Sequence, residues 1–318
     1  WNEEHRPIYF VMESYGKYNS GLSKGHLSSQ QHMQSPRAIL LIHCPDKAGL
    51  INIVTDFVFK NEGNIVSLDQ HVEAEEGIFF MRIAWEIEHF LIPREKIGEF
   101  FDTLIAVPNQ MSWQLHFSNI KPRVALFVSK ASHCLFDLLQ RHLTGELACE
   151  IPVIVSNHTS LAYIAERFDI PFHHFPITAE TKAEQEAKEI ELLDELNIDL
   201  IVLARYMQIL SADMCDVYSH RVINIHHSFL PAFKGGRPYK SAHQRGVKLI
   251  GATAHYVTSD LDEGPIIAQD VAAVSHREGI SDLKRMGKDI EKRVLSRAVY
   301  LHLQHRVLPF GKRTIVFD

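Results

Sequence analysis

Two short stretches of this 318-residue chain gather an amide, an imidazole and a carboxylate. The first runs Val222-Ile223-Asn224-Ile225-His226-His227-Ser228-Phe229-Leu230-Pro231-Ala232-Phe233-Lys234-Gly235, and the second Leu261-Asp262-Glu263-Gly264-Pro265. Val222 and Ile223 open a strand, and Pro231 with Gly235 and Gly236 turns the chain into a loop soon after it. Asn224 and His226 are two apart, so on a strand they face the same way. A carboxamide and an imidazole side by side at a strand's exit can bind one small carbonyl together. Taken alone, Asn-x-His on a strand is usually a hydrogen-bonded structural pair.

The elements that must position these groups follow from the apolar pattern. Ala38 to His43 is a buried strand, Leu50 to Lys60 a helix closed by Asn61-Glu62-Gly63, with Gly63 taking the left-handed conformation. Asn64 to Val72 and Gly77 to Glu86 are strands, Pro93 to Val107 a helix and Met111 to Phe117 a last strand. The order β-α-β-β-α-β predicts a ferredoxin-like α+β domain over residues 36–117, followed by a linker at 118–122. Over residues 123–318, strands at Arg123–Ser129, Glu150–Asn157, Phe172–Phe175, Leu200–Ala204 and Val222–Ile225 alternate with helices. That alternation predicts a Rossmann-like α/β domain with a parallel sheet and helices on both faces. Ligands of such sheets bind beyond the carboxyl ends of the strands, where Asn224 and His226 lie.

Composition fits a globular chain of more than one domain, with 46% hydrophobic and 23% charged residues. A formal net charge of −6 without a dense Lys/Arg block argues against nucleic acid as a partner. No apolar run reaches the roughly 18 residues a membrane span requires, so no membrane partner is expected. Cys44, Cys134, Cys149 and Cys215 have no CxxC spacing and read as reduced, buried thiols of a cytoplasmic protein. Residues 1–35, rich in Ser, Gln, His and Gly from Ser14 onward, read as a tail.

The first strand-to-helix turn of the second domain, Ser129-Lys130-Ala131-Ser132-His133-Cys134, has no glycine. Neither G-x-G-x-x-G nor a phosphate-cradling loop is present, which argues against a nicotinamide cofactor. Lys130 at this turn is either an anion ligand or a solvated side chain. His226 and His227 are adjacent rather than four apart, and no H-E-x-x-H occurs, so no metal is expected.

The long string around Asn224 resembles the signature of folate-dependent formyltransferases, Asn-x-His-x-Ser-x-Leu-Pro-x-Phe-x-Gly, with a later Leu-Asp-x-Gly-Pro loop. The resemblance places Asn224, His226 and Asp262 in the catalytic positions. It implies that the loop Leu203 to Leu210 lines a pterin pocket, through Arg205, Tyr206, Met207, Ile209 and Leu210, and that His255 and Val257 lie on the stretch leading to Asp262. His227 departs from the proline common at its position, and is either a second proton carrier or a surface residue. In the transformylase branch the first turn is glycine-rich and holds the acceptor's phosphate, so its replacement here fits a member without a nucleotide acceptor.

Asp46-Lys47-Ala48-Gly49-Leu50 and Asn61-Glu62-Gly63-Asn64-Ile65 resemble the first turn and first-helix end of an ACT domain. This implies an amino-acid effector at Asp46 to Leu50, or else a pure dimerisation element, and a homo-oligomer built through these domains. The two-domain combination resembles the formyltetrahydrofolate deformylase family. It implies hydrolysis of 10-formyltetrahydrofolate, as substrate rather than cofactor, to formate and tetrahydrofolate, supplying formate for purine synthesis and balancing one-carbon pools. The alternatives are formyl transfer to an amine acceptor, or an amino-acid sensor with an inert catalytic domain.

Overall fold

The computed structural model describes residues 35–231 and 238–318; the segment read as a tail, and residues 232–237 of the Asn224 motif and its glycine pair, lie outside the described residues. The first part comprises β1 (Arg37–Pro45), α1 (Leu50–Lys60), β2 (Asn64–Glu73), β3 (Ile78–Glu86), α2 (Ile97–Phe101) and β4 (Ser112–Phe117). Its four strands pair antiparallel in the order β2-β3-β1-β4. Alternate residues of β1 serve two cores. Ala38, Leu40, Ile42 and Cys44 join Leu50, Val54, Phe57 and Val58 of α1, while Leu41 joins Phe80, Leu308 and Phe317 on the other face. Two covered faces explain the unbroken apolar run of β1.

Two local readings are corrected here. The expected helix over 93–107 is regular only at α2, flanked by a 3-10 turn at Arg94–Lys96, a widened turn at Asp102–Ala106 and a second 3-10 turn at Val107–Asn109. Pro108 has no N–H to give, so a regular helix ends before it. After α1 the left-handed residue is Glu62, with φ 61°, rather than Gly63. Glycine is needed at 63 for space, because a Cβ there would lie 2.5 Å from Val58 Cγ1.

The second part comprises β5 (Arg123–Val128), α3 (His133–Leu143), β6 (Glu150–Ser156), α4 (Ala162–Arg167), β7 (Phe172–His174), α5 (Lys182–Glu195), β8 (Leu200–Leu203), α6 (Ala212–Val217) and β9 (Val222–His226). It continues with α7 (Pro238–Arg245), β10 (Leu249–Tyr256), β11 (Ile266–Ala273), α8 (Ile280–Leu303), β12 (Val307–Phe310) and β13 (Arg313–Val316). Seven strands form one sheet in the order β11-β10-β9-β8-β5-β6-β7. The five expected strands, β5 to β9, are parallel, whereas β10 and β11 extend the sheet antiparallel. Val124, Leu126 and Val128 of β5 pack toward α3 and α8, and Ala125 and Phe127 toward α5 and α6. A mostly parallel sheet buried on both faces is the Rossmann-like arrangement expected from the alternation.

The hairpin β12–β13 was not anticipated. It follows α8 as a separate two-stranded sheet and covers the first sheet, where Leu308 and Phe317 meet Leu41 and Phe80. Arg82 of β3 donates from Nε to the His305 carbonyl at 2.9 Å, and Arg313 pairs with Glu73 at 3.2 Å. The four cysteines are free and buried. Among the described residues no helix is long and apolar enough to cross a membrane.

Where the two parts meet, burial pushes His116 and His302 down to about 4 and His305 to about 3. The unfolded value is ~6.5, so below it the unfolded chain binds more protons than the folded one and stability falls as pH falls. The contribution is complete above about pH 6.5 and lost toward pH 4 and below, with a slope of up to ~1.4 kcal/mol per pH unit for each histidine. Urea midpoints should therefore drop between neutrality and about pH 5, and variants with Leu at His302 or His305 should show a shallower drop. An unchanged midpoint across that range would show that these imidazoles accept protons in the folded state.

Candidate active site

Strand register brings the catalytic candidates together. β9 and β10 run antiparallel with Asn224 opposite His255 and His226 opposite Thr253. The loop after β10 then folds back, carrying Asp262 to His226. Asp262 Oδ1 lies 3.2 Å from His226 Nδ1 and 3.8 Å from His255 Nε2. The hydrogen bond to His226 holds the Asp262 carboxyl below its usual range, so it is ionised at neutral pH.

The tautomers follow from the partners. His255 Nδ1 lies 2.8 Å from the Tyr256 carbonyl oxygen, which can only accept, so Nδ1 carries the hydrogen. Burial lowers the His255 pKa, and its Nε2 accepts from Asn224 Nδ2 at 3.2 Å. That bond fixes the amide of Asn224 and leaves its second N–H for another acceptor. His226 turns Nδ1–H to Asp262, and its buried Nε2 has no hydrogen-bond partner among the described residues. A carboxylate-oriented imidazole with an open nitrogen, beside an oriented amide, can move a proton and stabilise an oxyanion at one carbonyl.

These groups line a cavity of about 550 Å³ beyond the carboxyl ends of β8 and β9, with Arg205, Tyr206, Met207, Ile209, Leu210, His227 and Val257 in its walls. Met207 and Ile209 are exposed and offer apolar surface. Tyr206 is buried instead, its ring edge-on to Phe127 and its hydroxyl donating to Glu189 at 3.1 Å. His255 likewise serves by orienting Asn224 from beneath. The same cavity is lined by Gln208, Thr258 and Leu261, which belong to the same stretches of sequence but were not named as pocket residues. Asp46 to Gly49 form an exposed turn remote in sequence from these walls, with Leu50 buried under it.

Two supports were invisible in the sequence. Gly264 is required for close approach, because a Cβ there would stand 1.8 Å from the Tyr256 carbonyl oxygen. Tyr256 N donates to Pro265 O at 2.9 Å, so the Asp262 loop is laced to the end of β10. Arg205 and Asp262 both adopt left-handed backbone, at φ 67° and 57°. Such conformations cost about 1–3 kcal/mol each and persist where surroundings impose them.

Behind Arg205 lies a buried carboxylate, Glu291 of α8. It accepts from His133 Nε2 and from Tyr239 Oη, each at 2.7 Å, and lies 3.4 Å from Arg205 Nε. His133, Cys134 and Glu291 bring three metal-type ligand atoms within 4.8 Å, and they are the group among the described residues that does so. The Arg205 cation beside Glu291, and the His133 and Tyr239 hydrogen bonds its carboxylate already accepts, oppose a divalent ion there. His227, beside His226 with ring centroids 5.2 Å apart, is neutral, since burial and then Arg205 depress it to about 4. It is a buried pocket residue and not a surface one.

Known proteins resemble this chain along most of its length. The formyl transferase family profile matches residues 122–299. A formyltetrahydrofolate deformylase of Synechocystis is 52% identical over 285 residues, covering 90% of this chain and all of its own length. The chain belongs to the formyltetrahydrofolate deformylase family. A solved deformylase from Pseudomonas syringae superposes with a TM-score of 0.88 at 43% identity, covering 91% of this chain and 96% of that one. A glycinamide ribonucleotide transformylase from Symbiobacterium toebii superposes with a TM-score of 0.60 at 28% identity, over 64% of this chain and 98% of its own.

The lacing of the Asp262 loop is testable. Gly264→Ala should force the loop off β10 and lower kcat by at least about 100-fold, the scale of a lost acid–base group. Because Gly264 and Pro265 are buried against β10, a lower melting temperature is expected as well, and circular dichroism checks that the variant is folded when kcat is read. Wild-type turnover would show that the loop reaches His226 by another path.

Proposed function

We propose that this protein hydrolyses 10-formyltetrahydrofolate to formate and tetrahydrofolate. The observation that carries the reading is the convergence of Asn224, His226 and Asp262 at one end of an apolar-walled cavity, with His226 Nε2 open. The pteridine lies between the Arg205–Leu210 loop and Val257, with Met207 and Ile209 as walls. The formyl oxygen accepts the free N–H of Asn224. His226 Nε2 takes a proton from a water as its oxygen attacks the formyl carbon, and the ionised Asp262 stabilises the resulting imidazolium. The C–N bond then breaks, the same proton passes to the departing nitrogen, and the formic acid so formed loses its remaining hydroxyl proton to water and leaves as formate.

Formyl transfer to an amine is the rival reading. The glycine-free first turn argues against it, since His133 there is committed to the buried Glu291. Supplying the folate donor alone decides between them: hydrolysis releases formate at the full rate, transfer needs an acceptor. The proposal extends to a supply of formate for purine synthesis in a cytoplasmic setting. The first part is proposed as an ACT domain pairing subunits, supported by the exposed edge strand β2 with Val66, Leu68 and Val72 outward. Its turn at Asp46 to Leu50 is the proposed amino-acid site.

Asp262→Asn should retain folate binding and lower kcat at least about 100-fold. Asn224→Ala should lose about 2.7–4 kcal/mol of transition-state stabilisation, read as kcat rather than KM. Near-normal kcat in either variant removes that residue from the mechanism. For the effector, activity and melting temperature of the full chain should respond to at least one common amino acid, and the response should vanish in Asp46→Ala. A chain indifferent to all of them has a first part that serves assembly alone.

A further inference from the structure

A second cavity, of about 500 Å³, lies at the opposite end of the sheet from the catalytic site, where the four-stranded sheet, the linker and the seven-stranded sheet meet. Leu41, Leu115, Phe117 and Ile120 give it apolar walls, and four imidazoles, His116, His220, His302 and His305, face it. His116 and His305 stack with centroids 3.8 Å apart and planes 7° from parallel. Tyr256 packs edge-on against His220 and His302, its hydroxyl 2.7 Å from His302 Nδ1. None of these groups takes part in the chemistry proposed above.

Arg221 and Asp199 line the cavity from the starts of the adjacent strands β9 and β8. Outside the lining, Arg82 of β3 bonds the carbonyls of His305 and Gln304, with Arg306 and Asp69 both acting on Arg82. In the lining itself one guanidinium, Arg221, stands with one carboxylate, Asp199, and the four imidazoles add donors that can take up charge. Burial leaves His116, His302 and His305 neutral. An entering anion reverses that preference, because a nearby opposite charge favours the protonated ring.

We propose that this interdomain cavity binds a small organic carboxylate with an apolar body, and that its occupancy adjusts the catalytic site through Tyr256. The carboxylate would meet Arg221 and the imidazoles, and the apolar body Leu41, Leu115, Phe117 and Ile120. The route to catalysis is short. Successive residues of β10 face opposite sides of the sheet, so His255 orients Asn224 on one side while Tyr256 faces the cavity on the other. The Tyr256 main chain holds both catalytic supports, accepting from His255 Nδ1 at 2.8 Å and donating to Pro265 O at 2.9 Å. A ligand that moves the Tyr256 ring against His302 therefore moves the seat of the Asp262 loop and of the Asn224 amide. Coupling arises only if the ligand prefers one of the two arrangements.

The test uses the full chain with 4-methylpentanoate and benzoate as probes and 4-methylpentanol as the uncharged counterpart. Calorimetric titration without folate should show saturable carboxylate binding, about tenfold tighter at pH 6 than at pH 7 for each proton taken up, and none of the alcohol. Arg221→Met and His305→Leu should each abolish it, whereas Asp262→Asn in the catalytic site should not. Saturating carboxylate should change kcat or KM for the formyl substrate at least about fivefold, the lower end of ordinary coupling. The site is overturned by absent binding at both pH values, or by binding that survives both cavity variants or is lost with Asp262→Asn. Binding that leaves kcat and KM unchanged overturns the link through Tyr256. Because the titration contains no folate, failure of the deformylase reading would leave its outcome intact.

Discussion

The register of β9 against β10 is the constraint from which the site follows. It sets Asn224 across from His255 and His226 across from Thr253, so two side chains of β9 and one of β10 share a face. A slip of one residue would turn one strand's side chains to the opposite face and part Asn224 and His226 from His255. The register is held from both ends. Val257 N bonds Val222 O beyond Tyr256, and Thr253 Oγ1 donates to Ser228 O while accepting from Leu230 N. With β10 pinned, the loop after it has few ways to return, and the close pass of Gly264 over Tyr256 selects the one that delivers Asp262.

Ionisable groups divide by the work that burial does on them. Asp262 stays charged because an imidazole bonds it, while His255 and His227 stay neutral because they are shut away from water. Glu291 retains its charge at 1% exposure because His133, Tyr239 and Arg205 surround it, and its pKa is lowered despite desolvation. Breaking such a pair leaves an uncompensated charge, commonly at a cost of about 3–5 kcal/mol. Glu291 thereby ties α3, α7 and α8 to the loop that forms the pocket wall.

Much of this was legible in the residues. The alternation of apolar runs located β5 to β9, and the spacing of Asn224 and His226 placed both at a strand exit on one face. What escaped depends on partners distant in sequence. β10 and β11 are antiparallel additions that periodicity alone does not orient, and α8 was left unassigned although it backs the whole site. Tyr206 reads as a pocket residue, yet Glu189, itself buried and pushed up to about 7, draws its hydroxyl into the core. Gly63 and Gly264 look like turn glycines, and only the neighbouring atoms show that both are there for clearance.

The hairpin β12–β13 has a consequence for how the molecule is made. Leu41 and Phe80, near the beginning of the described chain, find their cover in Leu308 and Phe317 near its end. On a ribosome, which delivers the chain from its N-terminus, the four-stranded sheet must wait with one apolar face bare until residues 307–317 have emerged. The two parts are therefore poor candidates for exchange as separate cassettes. A graft that carries the first sheet without residues 307–317 takes with it an unfinished surface.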